Sequence, residues 1–342
     1  MDRRDFIKVM AAGAVTPGVV GFKEKIVEPL LPYLIPPDDV IPGVANWYSS
    51  VCRQCTAGCG IQVRIREGRA KKIEGNPLSP INEGRLCARG QAGLQVLYNP
   101  DRIKHPSLKD NGKLKEITWD EGLRVLAAKL GDLKRQGLNE QVVFLSQPLR
   151  GHLAKLIDIF MKNYGSSSFY SYELLDNESL IEANKLSFGY EGIPHYDLAN
   201  AGYVLSFGAG FLDTWISPVE YSAAYGRFRD RSVGRRGRLV QLESRLSLTG
   251  ASADEWFPIT PGTEGVLALG MAGLIVDEKL YNPALEQEIS AWKQALRGYS
   301  VEKAADRSGL AAERVAGVAR EFATAKPSLA LSGNPANYQV IK

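Results

Sequence analysis

VCRQCTAGCGIQVRIREGRAKKIEGNPLSPINEGRLCARG, residues 51–90, holds every cysteine of the chain: Cys52, Cys55, Cys59 and Cys87. The intervals are two residues, then three, then 27, so three thiols share one tight loop and the fourth arrives on a returning segment. Four thiolates converging on one centre are what a [4Fe-4S] cube requires, and cysteine-only sets at close spacing are its usual sequence form. Gly58 and Gly60 flank Cys59 and let the backbone fold around sulfur with no side chain in the way. Zinc is one rival, but structural zinc sites usually divide their ligands into two short pairs. Between the ligands, Gly60 to Arg66 alternates as a half-buried strand, Glu67-Gly68 turns and Ala70 to Gly75 returns, which predicts a hairpin. Asn76-Pro77 opens a loop that runs to Gly84-Arg85-Leu86-Cys87-Ala88-Arg89-Gly90.

Upstream, Arg3-Arg4 followed by Phe6, Ile7 and a weakly apolar run to Phe22 has the form of a twin-arginine export signal over residues 1–25. The run is shorter than the roughly 20 apolar residues needed to span a bilayer. Residues 26–45 are apolar and rich in Pro, as in an extended linker. Export brings disulfides in as a second rival for the cysteines, because the outer compartment is oxidising. Three cysteines within eight residues make unstrained pairing awkward, and twin-arginine export serves proteins that fold and load cofactors before crossing.

The 342 residues suggest about two domains. Hydrophobic residues at 44% and charged residues at 23% exclude disorder for the chain as a whole. A net charge of +4 is too weak a bias to argue for nucleic-acid binding.

Downstream, Thr118-Trp119-Asp120-Glu121 is a capping box opening a helix on Leu123, Leu126, Leu130 and Leu133 that lasts until Gly137. A strand over Gln141–Leu145 and a helix over His152–Tyr164 follow, with His152 read as a helix-surface residue. Tyr203–Phe207 and Arg238–Leu242 are apolar strands joined through a helix from about Glu220, a βαβ crossover whose crevice lies at the carboxyl ends of the strands. Gly208-Ala209-Gly210 ends the first strand, but lacks the full dinucleotide fingerprint.

The cysteine spacing with GRAKKIEGNPLSPINEGRLCARGQAGLQVLYNPDRIKHP, residues 68–106, resembles the N-terminal cluster domain of the molybdopterin oxidoreductases, and the likeness covers nearly the whole chain after residue 45. Within that superfamily YELLDNESLIEANKLSFGYEGIPHYDLANAGYVLSFGAGFLDTWISPVEY and SADEWFPITPGTEG look most like the large subunit of the quinol-oxidising alternative complex III. The resemblance implies an α/β fold: a small β-rich [4Fe-4S] domain over 46–108, then Rossmann-like α/β domains, one from 109–168 with 304–342 and one inserted over 169–303, without the family's C-terminal barrel. It also implies that Gly208, Gly210, Glu243-Ser244-Arg245 and Pro261-Gly262-Thr263-Glu264 stand on the nucleotide side of a molybdopterin guanine dinucleotide. Ser244 and Glu264 replace the Pro and Asp of the family pattern, which puts that binding in doubt; the alternative is loops that retain the fold and pack against partner chains.

Catalytic relatives bring a Cys, selenocysteine, Ser or Asp to the metal from the segment resembling Tyr172–Asn177. Here no cysteine is left over, and Asp176 is the one charged oxygen ligand near that place, with a loop or cap role as its alternative. The expectation is therefore an exported iron–sulfur electron-transfer and scaffold subunit of a quinol-oxidising membrane complex, without molybdenum or tungsten and with Arg89 beside the cluster. Its implied partners are ferredoxin-like iron–sulfur and cytochrome c subunits and a polytopic quinol-binding subunit. A catalytic polysulfide- or thiosulfate-reductase-like enzyme and a structural subunit stapled by its cluster remain the alternatives.

Overall fold

The computed structural model describes residues 40–173, 177–233 and 236–333. Its contacts divide the chain into two compact units, one of residues up to Tyr48 with Val63–Lys72, the other of Ser49–Gln62 with Ile73 onward. In the first, Glu67 and Gly68 both take positive φ, +50° and +74°. That is the two-residue hairpin geometry whose twist matches the flanking strands. The hairpin strands are β2 (Gly60–Arg66) and β3 (Arg69–Gly75), and β1 (Asn46–Val51) joins them in the order β1-β2-β3.

In the second unit the cysteine loop leads through the short helices α1 (Ala88–Gln91) and α2 (Gly93–Leu97) to the hairpin β4 (Ser107–Asp110) and β5 (Lys113–Glu116). Helix α3 (Trp119–Arg135) begins where the sequence predicts it, with Thr118 Oγ1 accepting from Glu121 N at 3.2 Å. Its leucine stripe stays open: Leu123 and Leu126 are both more than half exposed. The strand expected over Gln141–Leu145 begins later, because Asn139–Gln141 winds as a 3-10 turn. The strand is β6 (Phe144–Ser146), pairing in parallel with β7 (Phe169–Ser171) across α4 (Gly151–Tyr164). His152 is an exposed residue of the first turn of α4.

The main sheet is fully parallel, in the order β10 (Glu255–Pro258), β9 (Arg238–Glu243), β8 (Tyr203–Phe207), β11 (Ser328–Ser332). Strand β8 is buried on both faces, as parallel strands are when helices cover the two sides of a sheet. Tyr203, Leu205 and Phe207 pack with Val240 and Leu242 against α8 (Glu264–Asp277), α10 (Val301–Ser308) and α11 (Ala312–Thr324). On the other face Val204, Leu239 and Leu331 meet α5 (Glu178–Phe188) and α6 (Pro218–Phe228). Each such side chain contributes roughly 1.5–3 kcal/mol of transfer free energy. Strand β11 pairs with β8, and α10 and α11 pack on α8, so residues 304–332 share the core of the main sheet. A strand pairs where its buried face finds a partner, whatever the distance along the chain.

The amino end of this sheet is pinned by Asp254. Its carboxylate accepts from Arg229 Nη2 at 3.0 Å and from Leu239 N at 2.8 Å, and pairs with Arg236 Nη1 at 3.1 Å. Asp254→Ala leaves the largely buried Arg229 without its carboxylate, and a loss of about 2 kcal/mol in denaturant unfolding is expected.

Candidate functional site

The cysteine loop is closed by backbone hydrogen bonding and by one buried side chain. Cys52 N donates to Cys59 O at 2.8 Å, which sets the width of the loop, and Gly58 at φ +68° supplies its reversal. Asn82, 1% exposed, ties this loop to the returning segment. Its Oδ1 accepts from Gly60 N at 2.9 Å, and its Nδ2 donates to Gly60 O at 2.9 Å and Arg85 O at 2.6 Å. Gly75 lies so close that a Cβ there would meet Gly84 C at 2.4 Å and Arg85 O at 2.5 Å. The backbone beside Cys59 is thus held to the backbone that leads into Cys87.

All four thiols are free and brought together. Cys59 is buried against Ala57 and against Val219 of α6, while Cys52, Cys55 and Cys87 pack on it from a half-buried shell that includes Leu86. Burial, then the charges of Cys52, Cys55 and Cys87, push the Cys59 thiol up to about 11. Burial also raises Cys52, opposed by the backbone N–H of Gln54 and by Arg89, with Cys55 and Cys87 adding to the rise. The four thiols come together from two segments as one all-thiolate donor set, the chemistry that a [4Fe-4S] cube takes, with Arg89 in its surroundings.

The second site is the carboxyl edge of the main sheet. Gly208 and Gly210 follow β8, Arg245 follows β9, and Gly262, Thr263 and Glu264 follow β10, so the three segments line up on adjacent parallel strands. Strand order reverses between β8 and β11, the place where open α/β sheets form a ligand crevice. Gly208 takes φ +72°, and Gly333, after β11, donates its N–H to Phe207 O at 2.9 Å. Arg245 is exposed and Gly262 takes φ +80°. Thr263 is buried, its Oγ1 donating to Thr260 O at 2.6 Å, and Glu264 is fully buried at the start of α8. Glu243 is buried as well, accepting from Gln241 Nε2 at 3.0 Å and from Ser247 N at 2.8 Å. Its carboxylate shapes the turn that leads to the short helix α7 (Leu248–Ala251). Asp176, Arg3 and Arg4 lie outside the described residues.

Asn82 is the residue that the sequence does not reveal. An Asn in a polar loop reads as a turn former, and only its burial shows that it bonds across 22 positions to Gly60.

Residues 45–99 match the model of the molybdopterin oxidoreductase Fe4S4 domain and residues 102–325 that of the molybdopterin oxidoreductase domain. Among curated relatives, the molybdopterin-binding-like subunit of menaquinone reductase from Nitratidesulfovibrio vulgaris is 29% identical over 86% of this chain and 42% of its own length. The molybdopterin-containing subunit of arsenate respiratory reductase from Shewanella sp. is 27% identical over 96% and 42%. The corresponding thiosulfate reductase subunit from Salmonella typhimurium is 28% identical over 85% and 38%. The chain thus spans about two fifths of the length of these relatives. In fold it is similar to acetylene hydratase from Pelobacter acetylenicus, with a TM-score of 0.70 at 21% identity over 85% of this chain and 41% of that one.

Proposed function

The chain belongs to the molybdopterin oxidoreductase family, and from that premise we propose that it is the iron–sulfur electron-transfer and scaffold subunit of a membrane-associated respiratory complex that oxidises quinol. The observation that carries this reading is the single donor set of Cys52, Cys55, Cys59 and Cys87, three of them half-buried and one deep. These four would hold a [4Fe-4S] cluster, which supplies one-electron transfer when bound. The chain's own residues do the rest: Asn82 and Gly75 fix the loop, Val219 and Ala57 keep water from Cys59, and Arg89 places a positive charge beside Cys52.

A relative named as a subunit of menaquinone reductase supports a place in a multisubunit redox complex. Quinol oxidation is the reverse of that relative's named reaction, and the potentials of the partners set the direction. The partners we propose are ferredoxin-like iron–sulfur and cytochrome c subunits and a polytopic quinol-binding subunit. The Arg3-Arg4 pair supports export to the outer side of the cytoplasmic membrane. Replacing both by Lys is expected to leave the precursor inside the cell, as fractionation will show; unchanged export sinks that assignment.

The deciding experiment is metal analysis of anaerobically purified chain, with about four iron and four acid-labile sulfide expected per chain. Stoichiometric zinc, or two disulfides without iron, overturns the reading. Arg89→Ala is expected to lower the midpoint potential in an EPR-monitored titration by an amount on the order of tens of millivolts, because a nearby positive charge favours the more negative reduced state.

The second reading, a catalytic molybdopterin-dependent reductase, draws on the alignment of the Gly208, Arg245 and Gly262 segments along one sheet edge. We propose instead that the chain carries no molybdenum or tungsten: no cysteine remains for such a metal once the four are assigned, and Asp176 is read as a loop or cap residue. About one molybdenum or tungsten per cluster, with guanine nucleotide released on extraction, overturns this in favour of catalysis. A cluster that staples the domain without redox activity would show no potential-dependent EPR signal.

A further inference from the structure

The inner wall of the cysteine site is the first turn of α6. Val219, the second residue of that helix, is buried against Cys59, and Ser217 and Pro218 ahead of it are buried as well. Ser217-Pro218-Val219-Glu220 has the sequence of a capping box, with Pro at the first helical position. In that motif the serine oxygen accepts from the N–H three residues on, and the glutamate reaches back to the serine N–H.

Among the described residues neither half of the box forms. Ser217 stands at φ −140° and ψ +80° and makes no cap bond, and Glu220 Oε1 meets His195 Nε2 at 2.9 Å instead. Ile216, just before, takes φ +52°, which a β-branched residue adopts only where its surroundings hold it. Ser217 is left 3% exposed, its Oγ without a hydrogen-bond partner among the described residues. A buried hydroxyl is costly to leave unpaired, so this one calls for an acceptor that the neighbouring side chains do not supply. Backbone amides point to the same need. Tyr221 N makes the first rung of α6, to Ser217 O at 3.0 Å, and Pro218 has no N–H, so the amides of Val219 and Glu220 precede the ladder. Hydroxyl, amides and helix dipole together favour negative charge at the end of α6 that carries Val219 to Cys59.

Resting on the cluster assignment above, we propose that the amino end of α6, through the Ser217 O–H, donates to the Cys59 corner of the cluster and so raises its reduction potential. A cube held by four thiolates is an anion, more negative by one charge when reduced, and hydrogen bonds to its sulfurs are one of the levers on its potential. Reduction adds one electron to the cluster; the hydroxyl keeps its proton and only its hydrogen bond strengthens. Arg89 acts on the same equilibrium from beside Cys52, so the two donors address different corners.

The test uses the full chain with its cluster loaded anaerobically, titrated with dithionite and redox mediators and read by EPR. Ser217→Ala deletes the hydroxyl and no bond within the protein. At the parent's midpoint its ratio of reduced to oxidised cluster is expected to fall about threefold to tenfold, the tenfold figure being about 59 mV for one electron. ENDOR of the reduced cluster in D2O should show one exchangeable proton coupling fewer than the parent. Ser217→Thr keeps the hydroxyl and is expected to restore both readings. Iron per chain should match the parent in both variants, because Ser217 is not a ligand. Parental potential and coupling in loaded Ser217→Ala overturns the proposal, and so does an equal shift in Ser217→Thr, which makes the effect one of packing. A parent chain without iron fails the cluster assignment itself, whereas loaded chains of equal potential fail the Ser217 hydrogen bond alone.

Discussion

Asn82→Ala is expected to destabilise the fold by roughly 3 kcal/mol and to empty the cysteine loop of iron. The three bonds of Asn82 serve the N–H and C=O of Gly60 and the C=O of Arg85, and its side chain is 1% exposed. A buried backbone group left without a partner costs roughly 1–3 kcal/mol, and the cavity left by the amide admits no ready substitute. Gly60 O keeps the N–H of Asn76 at 2.9 Å and Gly60 N retains a long contact with Ser79 Oγ at 3.4 Å, so the loss stays well below the sum of three full penalties. Asn82→Asp sharpens the test. It keeps an acceptor for Gly60 N but sets a carboxylate against two carbonyl oxygens, so it should be no better than Ala despite matching Asn in shape. Denaturant midpoints and iron per chain check both variants. An Asn82→Ala chain that holds four iron at parental stability would mean that the cysteines close their loop without it.

What the sequence reveals is what is local. The intervals between Cys52, Cys55, Cys59 and Cys87, the turn at Glu67-Gly68 and the apolar strands Tyr203–Phe207 and Arg238–Leu242 each carry their signal within a few residues, and the structure has these elements, the last one residue longer. The family shown by the domain matches was likewise legible from the cysteine spacing and the segments around it. What stays hidden is pairing at a distance. Ser328–Ser332 forms a strand in the structure, yet nothing in its sequence shows that Ser328 stands opposite Tyr203, 125 positions earlier. Helix α3 misleads in the other direction, because its leucine periodicity promises a buried face and Leu123 and Leu126 remain exposed. The buried roles of Asn82 and Glu243 depend on side chains contributed by other segments, which no window of sequence contains.

The other large effect is expected at the switch point of the main sheet. Gly333 follows β11, and a Cβ built on it would lie 2.0 Å from Gly208 O, 2.2 Å from Gly208 C and 2.4 Å from Ala209 N. Every one of these atoms is backbone, so no rotamer change relieves the contact. Gly333→Ala must therefore part the ends of β8 and β11, straining the hydrogen bond from Gly333 N to Phe207 O, 2.9 Å in the parent. Overpacking typically costs about 1–3 kcal/mol, and an obstacle made of backbone belongs at the top of that range. A fall of about 3 kcal/mol is expected in denaturant unfolding, with faster amide exchange in β8 and β11 than in β10. Gly317→Ala is the control, since nothing lies within 4 Å of its added methyl and it falls inside α11. There the exchange should be neutral or stabilising by up to about 1 kcal/mol through helix propensity. If both variants unfold at the same midpoint, the close approach of Gly333 to Gly208 does not hold in solution, and the Gly208-Ala209-Gly210 turn loses the support that makes this edge of the sheet a candidate crevice.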